Sequence, residues 1–591
     1  MSWYWLSFDY CDIYMYTRRI WNNVHKTKFY NYDIEETPIY RGKYSYFIYQ
    51  RWICLWRGAR RMWIYSLEAG YPWIRNFHLI STIVYFFIII LPYRMSNLAH
   101  RQSLIQAKRK TTPWREFVME ICSWLNLTLY KNSWLISRYP KTDRINNVIS
   151  VDLFEWERDR LSLWAVWYSS WNIFLQEYMK LFTSTTIASL IDFWGNENSM
   201  FADSVQWSKN VYLSFIVVAA SENVCYSFNI KDKSHNVFNS IVVTASSNVY
   251  MSVGIHECHN IFYSKYIYNS SNIRLGSNLQ GCDNCVDCYG LQNKSYCILN
   301  KQYTKEEFET KKKEILSSKA MMDIKYKKME SISWFSITSP NSTWWFLLNC
   351  DNAQNCFMSS NLKNCNNVLF ASSYENNENY NDIICAWRSE HMYGGVATGT
   401  FSAHVYNSAM IANSSYIFHS YALNNCSFCL GCIGLKNKSY CILNKQYTKE
   451  EWYEKVDEIF AQMEKDWTLW EFFPATMNPF YFNDTAAYLI DPSFTKEEVT
   501  AKWYLRRDEP IKVDIPEGME VVKISELWTY EWFDNEWNRT INADILKKVI
   551  QDEQWNIYRI IPMEYKFLVK HGLPLPRKHW LERMKENFRI Q

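Results

Sequence analysis

Eight cysteines fall into two clusters that share the spacing C-x2-C-x2-C-x8-C. Paired thiols at such spacing are typical of structural zinc sites, where four thiolates surround one metal ion. The alternatives are buried packing and a disulfide or redox pair. The clusters consist of Cys282, Cys285, Cys288 and Cys297, and of Cys426, Cys429, Cys432 and Cys441.

Each cluster ends inside a stretch of fifteen residues, NKSYCILNKQYTKEE, that occurs twice without a change, at 293–307 and 437–451. Self-similarity at this level indicates two equivalent structural units. Within each copy a threonine precedes a glutamate by three residues, which is the capping box that begins a helix. The copies therefore predict helices over 307–328 and 451–465, each lying across the end of its unit.

A finer repeat precedes the first cluster. Asparagine recurs every twelve or thirteen residues, the next residue is apolar, and a small residue stands two positions earlier. Short β-branched runs separated by Asn and Ser predict strands, and a constant period predicts that they stack in register. We therefore expect a parallel β-solenoid, whose turn holds either twelve residues or two sides of twelve. The asparagines are Asn210, Asn223, Asn236, Asn248, Asn260, Asn272 and Asn284.

The cysteines fit this repeat without a metal. Four of them take positions that Val or Ile fills in other turns, and three take positions of Ser. Stacked strands would spread thiols along a line or over two faces, whereas tetrahedral coordination needs four sulfurs around one point. Packing is therefore favoured over zinc, and zinc over a disulfide.

The sequence divides into four regions. Residues 1–150 are basic and aromatic, 200–330 and 345–467 are the two solenoid units with their helices, and 468–591 read as a small α+β region. Between 41 and 115 there are 13 Lys/Arg and one acid, a balance that suits nucleic acid or anionic lipid. The apolar run 77–91 is short for a membrane span, so a buried helix or strand pair is favoured over a membrane segment.

The composition bears on the partner class, the cellular compartment and the genetic code of the source organism. The net charge of +4 implies no particular partner, and no convincing signal peptide begins the chain. The 17 cysteines are too unevenly spread for a disulfide scaffold, which favours a reducing, cytoplasmic location.

Trp occurs 29 times and Gly only 15, and Trp537 and Trp555 stand in polar turns that favour glycine. We infer that many Trp codons are UGA, which the source organism reads as glycine.

No catalytic constellation stands out. The solenoid histidines are His256, His259, His391, His404 and His419. His404 replaces the repeating asparagine, which indicates a turn or surface residue. The proximity of Cys258 to His256 and His259 is attributed to chance. The chain carries no Gly-rich phosphate loop and no fingerprint of a hydride cofactor.

Three segments carry a resemblance: CILNKQYTKEE, LWEFFP with NPFYFNDTAA, and LPLPRKH. Over about residues 200–591 the chain is similar to an uncharacterised family of candidate-phylum bacteria that is often labelled "CaiB/BaiF family protein". Some of those lineages decode UGA as glycine. The label implies a CoA transferase, but the chain shows no doubly wound α/β pattern. The family's terminal CxxC and CPxCR elements imply zinc, and this chain lacks both.

The leading hypothesis is thus a non-enzymatic repeat protein or scaffold that binds a protein partner. Its predicted surface combines the asparagine ladder with Tyr212, Phe238, Tyr250 and Phe262. A structural role of Asn at the turns stays open. The alternative is a zinc-dependent nucleic-acid-binding protein that uses the cysteine clusters and the basic stretches.

Overall fold

The computed structural model describes residues 91–588 except 133–134, 159, 161–164, 166–172, 200, 318–335, 338, 340, 343–346, 379, 400, 509–514, 516 and 536–537. The basic stretch before residue 91, most of the apolar run 77–91 and Trp537 lie outside these residues. From Tyr93 onward the chain forms one compact unit, Tyr93–Gln591. No helix within the described part is both long and apolar enough to cross a membrane.

The described chain begins with short elements that precede the repeats. In this segment Trp124 is fully buried against Tyr421 of the second solenoid and against Phe473 and Phe480, whereas the last strand pairs with the first strand of the first solenoid. These elements are α1 (Leu91–Lys110), α2 (Trp114–Glu120), β1 (Tyr130–Asn132), β2 (Leu135–Ser137), β3 (Val148–Ile149), α3 (Val151–Glu157), α4 (Phe174–Ser184), β4 (Ile187–Ala188) and β5 (Asp192–Trp194).

The first solenoid consists of short parallel strands that pair with every second strand along the chain. Val237 lies opposite Val224 and Val249, and Ile255 lies opposite Val243 and Ile267. The strands are β6 (Phe201–Gln206), β7 (Lys209–Val217), β8 (Glu222–Cys225), β9 (Phe228–Lys231), β10 (His235–Phe238), β11 (Ile241–Thr244), β12 (Ser247–Tyr250), β13 (Val253–His256), β14 (His259–Phe262), β15 (Lys265–Tyr268), β16 (Ser271–Arg274), β17 (Ser277–Gln280), β18 (Asp283–Val286), β19 (Ser295–Ile298) and β20 (Lys301–Gln302).

This register confirms the parallel β-solenoid and settles the size of its turn. A strand meets its equivalent twelve residues later, and one other strand lies between them, so a complete turn holds twelve residues and two strands. Of the two turn sizes that the sequence left open, the smaller one is correct. The two sets of strands form two parallel faces of one coil.

Within a turn, the backbone repeats every three residues. Val249, Ser252, Ile255 and Cys258 are buried in the coil, and the residue before each of them has positive φ. A positive φ costs most side chains roughly 1–2 kcal/mol but is tolerated best by Gly and Asn. This explains why asparagine recurs directly before an aliphatic residue.

Aliphatic and serine positions alternate around the interior of the coil. The buried serine hydroxyls connect consecutive turns: Ser252 Oγ donates to Tyr250 O at 2.8 Å and accepts from Ser264 N at 3.1 Å. These bonds satisfy backbone groups that are buried at the corners of the coil. Serine at the inward corner is therefore a structural requirement of the turn.

The second solenoid repeats this architecture less regularly. Its strands are β21 (Ser336–Ile337), β22 (Leu347–Leu348), β23 (Asp351–Phe357), β24 (Ser359–Leu369), β25 (Ser372–Glu378), β26 (Tyr380–Trp387), β27 (Glu390–Gly399), β28 (Ala403–Ala409), β29 (Ser415–Phe418), β30 (Ser427–Leu430), β31 (Ser439–Ile442) and β32 (Lys445–Gln446). The register shifts between Ser360 and Leu362, where β24 meets β25. From β28 on, the step is again twelve residues, with Val405 opposite Ile417.

Both solenoids end in the same way, as their identical sequences predict. The last parallel strand turns back into a two-residue antiparallel strand, and a helix follows: α5 (Lys305–Ser317) or α6 (Lys449–Lys465). Thr448 and Glu451 form the predicted capping box. Trp452 of α6 donates from its ring nitrogen to Cys441 O at 3.2 Å, so the helix covers the last turn.

The two solenoids lie side by side and run in opposite directions. Ser204, at the start of the first, contacts Met410 of the second. Asn229, farther along the first, donates to Phe370 O, which comes earlier in the second. Later turns of one unit therefore meet earlier turns of the other.

The chain that follows the second solenoid packs partly against the second solenoid and partly against the first. Residues 468–508 pack with α2 near the second solenoid, where Arg115 pairs with Glu498. Residues 521–588 form the small α+β region, which covers the first. The elements are α7 (Ala486–Ile490), α8 (Lys496–Ala501), β33 (Val521–Lys523), β34 (Glu531–Phe533), β35 (Arg539–Ile541), β36 (Val549–Gln551), β37 (Ile557–Tyr558), α9 (Pro562–His571) and α10 (Trp580–Phe588).

Candidate functional site

The two cysteine clusters occupy equivalent places in the last turns of the two solenoids. Cys282, Cys285 and Cys288 are inward residues of one turn, and Cys297 lies opposite Cys285 one turn later. All eight cluster cysteines are buried and none forms a disulfide.

Each cysteine replaces a side chain of the repeat. Cys285 continues the aliphatic series below Ile273. Cys282 takes a serine position, where its amide donates to Ser270 Oγ at 3.0 Å and its thiol donates to Gln280 O at 3.4 Å. These are the same bonds that serine forms elsewhere in the coil, so the thiols satisfy the requirements of the turn by themselves.

The thiols of each cluster lie close enough to influence one another's pKa. Three consecutive inward positions of one small coil face its axis, so their side chains converge. Cys285 is central: its thiol hydrogen-bonds with Cys282, which lowers the pKa of Cys282 to about 6 and raises that of Cys285. A hydrogen bond with Cys285 also lowers the pKa of Cys288, whereas burial raises the pKa of Cys297.

The second cluster has the same arrangement around Cys429. Hydrogen bonds with Cys426, Cys432 and Cys441 raise the pKa of Cys429 well above its usual value. The contact with Cys429 lowers the pKa of Cys426, and burial raises that of Cys432. The duplication has thus preserved a four-thiol cluster with one central sulfur.

This geometry differs from a metal centre. A tetrahedral zinc site needs four sulfurs around one empty point. Among the residues that the structure describes, no group of three or more Cys, His, Asp or Glu is placed to hold a metal ion.

The solenoid histidines do not form a nucleophile pair with Cys258. Its thiol donates to the backbone oxygen of His256 at 3.0 Å, and burial raises its pKa to about 12. The ring of His259 instead hydrogen-bonds Ser247 Oγ. His419 is buried against Phe174, and burial lowers its pKa to about 4. A thiol with a raised pKa and no imidazole partner is a poor nucleophile.

The asparagine positions form a continuous ladder on the first solenoid. From Asn198 to Asn272, each side-chain Nδ2 donates to Oδ1 of the next asparagine, in six consecutive bonds of 2.8–3.0 Å. All these residues have positive φ. The ladder shows that Asn serves the turn and also aligns its amides along the outside of the coil.

The equivalent positions of the second solenoid carry stacked rings. Neighbouring ring centroids are 4.6–5.0 Å apart and the planes deviate by 13° or less. All five side chains are half-buried. We call this the ring ladder; it comprises His391, His404, Tyr416, Phe428 and Tyr440. Sequence reasoning identified only His404, although aromatic residues at a step of twelve, each directly before an inward residue, were a usable signal.

No protein-family model, curated protein or solved structure matches the chain.

The chain itself covers three of the four aromatic side chains of the surface predicted on the first solenoid, and the fourth, Tyr212, is half-buried. Phe567 of α9 packs against Phe238, Tyr250 and Phe262 at centroid distances of 4.6, 6.0 and 6.2 Å. Glu564 accepts from Tyr250 and pairs with buried Arg583 at 2.9 Å. The ring ladder is half-exposed along its length, and α6 lies beside its last two rings, where Trp452 packs against Phe428 and Tyr440.

Proposed function

We propose that the chain is a non-enzymatic β-solenoid scaffold that binds a protein partner in a reducing compartment such as the cytoplasm. The observation that carries the proposal is the ring ladder: five half-exposed side chains held at a constant spacing by the coil beneath them. Aromatic side chains dominate the energetics of protein interfaces, and rings already fixed by stacking lose little entropy on binding.

The remaining chemistry favours a scaffold over an enzyme. The cluster thiols are enclosed in the coil, and Cys258 has no imidazole partner. The described sheets are solenoid faces and small sheets of two or three strands, which give no support to the CoA transferase implied by the resemblance. The eight cluster cysteines form no disulfide, which is compatible with a reducing compartment.

The experiment replaces rings by the residue that the first solenoid uses at the same position. A His404→Asn, Tyr416→Asn double variant keeps a side chain that tolerates positive φ, so the coil should fold. The matched control is Tyr289→Asn, which removes an exposed ring from the first solenoid. Each full-length protein is immobilised and exposed to lysate of the source cells, and bound proteins are quantified by mass spectrometry.

We expect a protein that wild type and the control retain and that the double variant loses, with unchanged circular dichroism. The same bound proteins on all three surfaces would contradict the proposal. The zinc-dependent nucleic-acid alternative is not favoured by an observation on the described residues, since most of its basic stretch precedes residue 91.

A further inference from the structure

A cavity of about 430 Å³, including the part open to solvent, lies between the two solenoids. The first solenoid contributes Ile216, Val218, Asn229 and Lys231 to its wall, and the second contributes Cys385 and Trp387. Most of the wall is apolar, so its few polar groups determine what it can hold.

Lys231 is the charged group of this cavity and is only 4% exposed. Within the described residues its Nζ has one hydrogen-bond acceptor, the backbone oxygen of Phe370 at 3.3 Å. The nearest carboxylate, Asp232, pairs with Arg388 at 3.7 Å. An ammonium group offers three donors, and burying one without an anion is costly. Burial accordingly lowers the pKa of Lys231 to about 8.

Asn229 is another polar residue of the wall, which also includes Ser204 and Thr398, and it is fully buried. Its Nδ2 donates to Phe370 O at 3.1 Å. Its Oδ1 has no hydrogen-bond partner in the described part of the chain. A buried acceptor without a donor costs about 1–3 kcal/mol, so a donor in the cavity would be favourable. The cavity therefore offers a cation and an unused acceptor on the two residues that flank the inward Ile230 in one strand, β9.

We propose that this cavity is a binding site for a small hydroxycarboxylate, whose carboxylate accepts from Lys231 and whose hydroxyl group donates to Asn229 Oδ1. The carboxylate supplies the anion that Lys231 lacks, and the hydroxyl supplies the missing donor. An amino acid fits less well, because its ammonium group would lie beside that of Lys231. The site is independent of the protein partner proposed above.

The test measures binding of glycolate and acetate to the full-length protein by isothermal titration calorimetry. Wild type should bind glycolate more tightly than acetate. Lys231→Met removes the charge and should weaken both by about tenfold or more, since hydrogen bonds to charged groups contribute most. The control Lys233→Met changes an exposed lysine two residues away and should bind like wild type.

Asn229 has positive φ, which glycine adopts readily, so the Asn229→Gly variant should fold. It should bind glycolate only as tightly as acetate. Binding should fall about tenfold from pH 7 to pH 9, because Lys231 loses its proton in this range while burial keeps the Cys385 thiol protonated; the neighbouring carboxylate, Asp232, is paired with Arg388. The pH effect should vanish in Lys231→Met. Absence of glycolate binding to wild type, or unchanged binding by Lys231→Met, would overturn the proposal.

Discussion

Replacing Trp467, Trp503 and Trp555 by glycine should raise the free energy of unfolding. All three have positive φ, between 60° and 66°, although they are not in the solenoids. Their side chains are 70–78% exposed, so the rings bury little surface that glycine would lose. An aromatic residue in the left-handed region is strained, and here packing does not compensate for it.

Two of these positions have the hydrogen bonds of a helix end that ordinarily takes glycine. After α8, Trp503 N donates to Thr500 O and Tyr504 N donates to Val499 O, which is the Schellman pattern with tryptophan at the left-handed position. After α6, Trp467 N donates to Glu464 O and Thr468 N donates to Met463 O in the same pattern. The chain uses glycine for the same motif after α9, where Gly572 has φ 60°. Trp555 lies in the hairpin turn between β36 and β37.

The expected change in the free energy of unfolding is the difference between two opposing contributions. Left-handed φ costs a residue other than glycine roughly 1–2 kcal/mol. Glycine loses roughly 0.5–1 kcal/mol through its greater freedom in the unfolded chain. Each substitution should therefore stabilise by about 0.5–1 kcal/mol, and the triple variant by about 2 kcal/mol, since the three sites are independent.

The assay is urea unfolding of the full-length protein, followed by circular dichroism. Trp528→Gly is the matched control, because that tryptophan is 65% exposed but lies in a short helix, where glycine should destabilise. A triple variant that unfolds at the same or a lower urea concentration than wild type would refute the reasoning. The recoding hypothesis additionally predicts UGA at these codons, and UGG at all three would end it.

Three further outcomes are expected. His419→Asn should make the free energy of unfolding less dependent on pH. Burial lowers the pKa of His419 in the folded protein to about 4, so wild type should lose up to about 3 kcal/mol of stability as pH falls from 6.5 to 4. The variant should not show this loss. Arg583→Met should cost about 3–5 kcal/mol by leaving buried Glu564 unpaired, and adding Glu564→Gln should recover most of it in urea titrations. Cys429→Val should change stability by less than about 1.5 kcal/mol if the cluster only packs; a larger loss together with lost zinc in metal analysis would support the metal interpretation.

The repeat was predictable because its requirements are local. An inward aliphatic residue such as Val249 must recur once per turn, and Asn248 before it must tolerate positive φ. The size of the turn was less accessible, although Ile255, six residues after Val249, marks the second strand. This six-residue spacing between inward aliphatic residues is the signal in the sequence for two strands per turn.

Contacts between distant segments left no such signal. The docking of Phe567 onto Phe238 joins residues far apart in the chain, and neither neighbourhood indicates the other. The convergence of the cluster thiols required the coil diameter, which only the register of the strands provides. The cavity at Lys231 requires the relative placement of the two solenoids, which a single sequence does not specify.

The twelve-residue turn also limits how this chain can change in length. Two turns of the first solenoid contain thirteen residues, and each places two consecutive positive-φ residues at one corner, at Ala219–Ala220 and Asp232–Lys233. One extra residue is thus absorbed in a corner without disturbing the interior. Larger insertions would have to come as complete turns, so duplication of a dozen codons is the natural evolutionary step by which such a protein grows or shrinks.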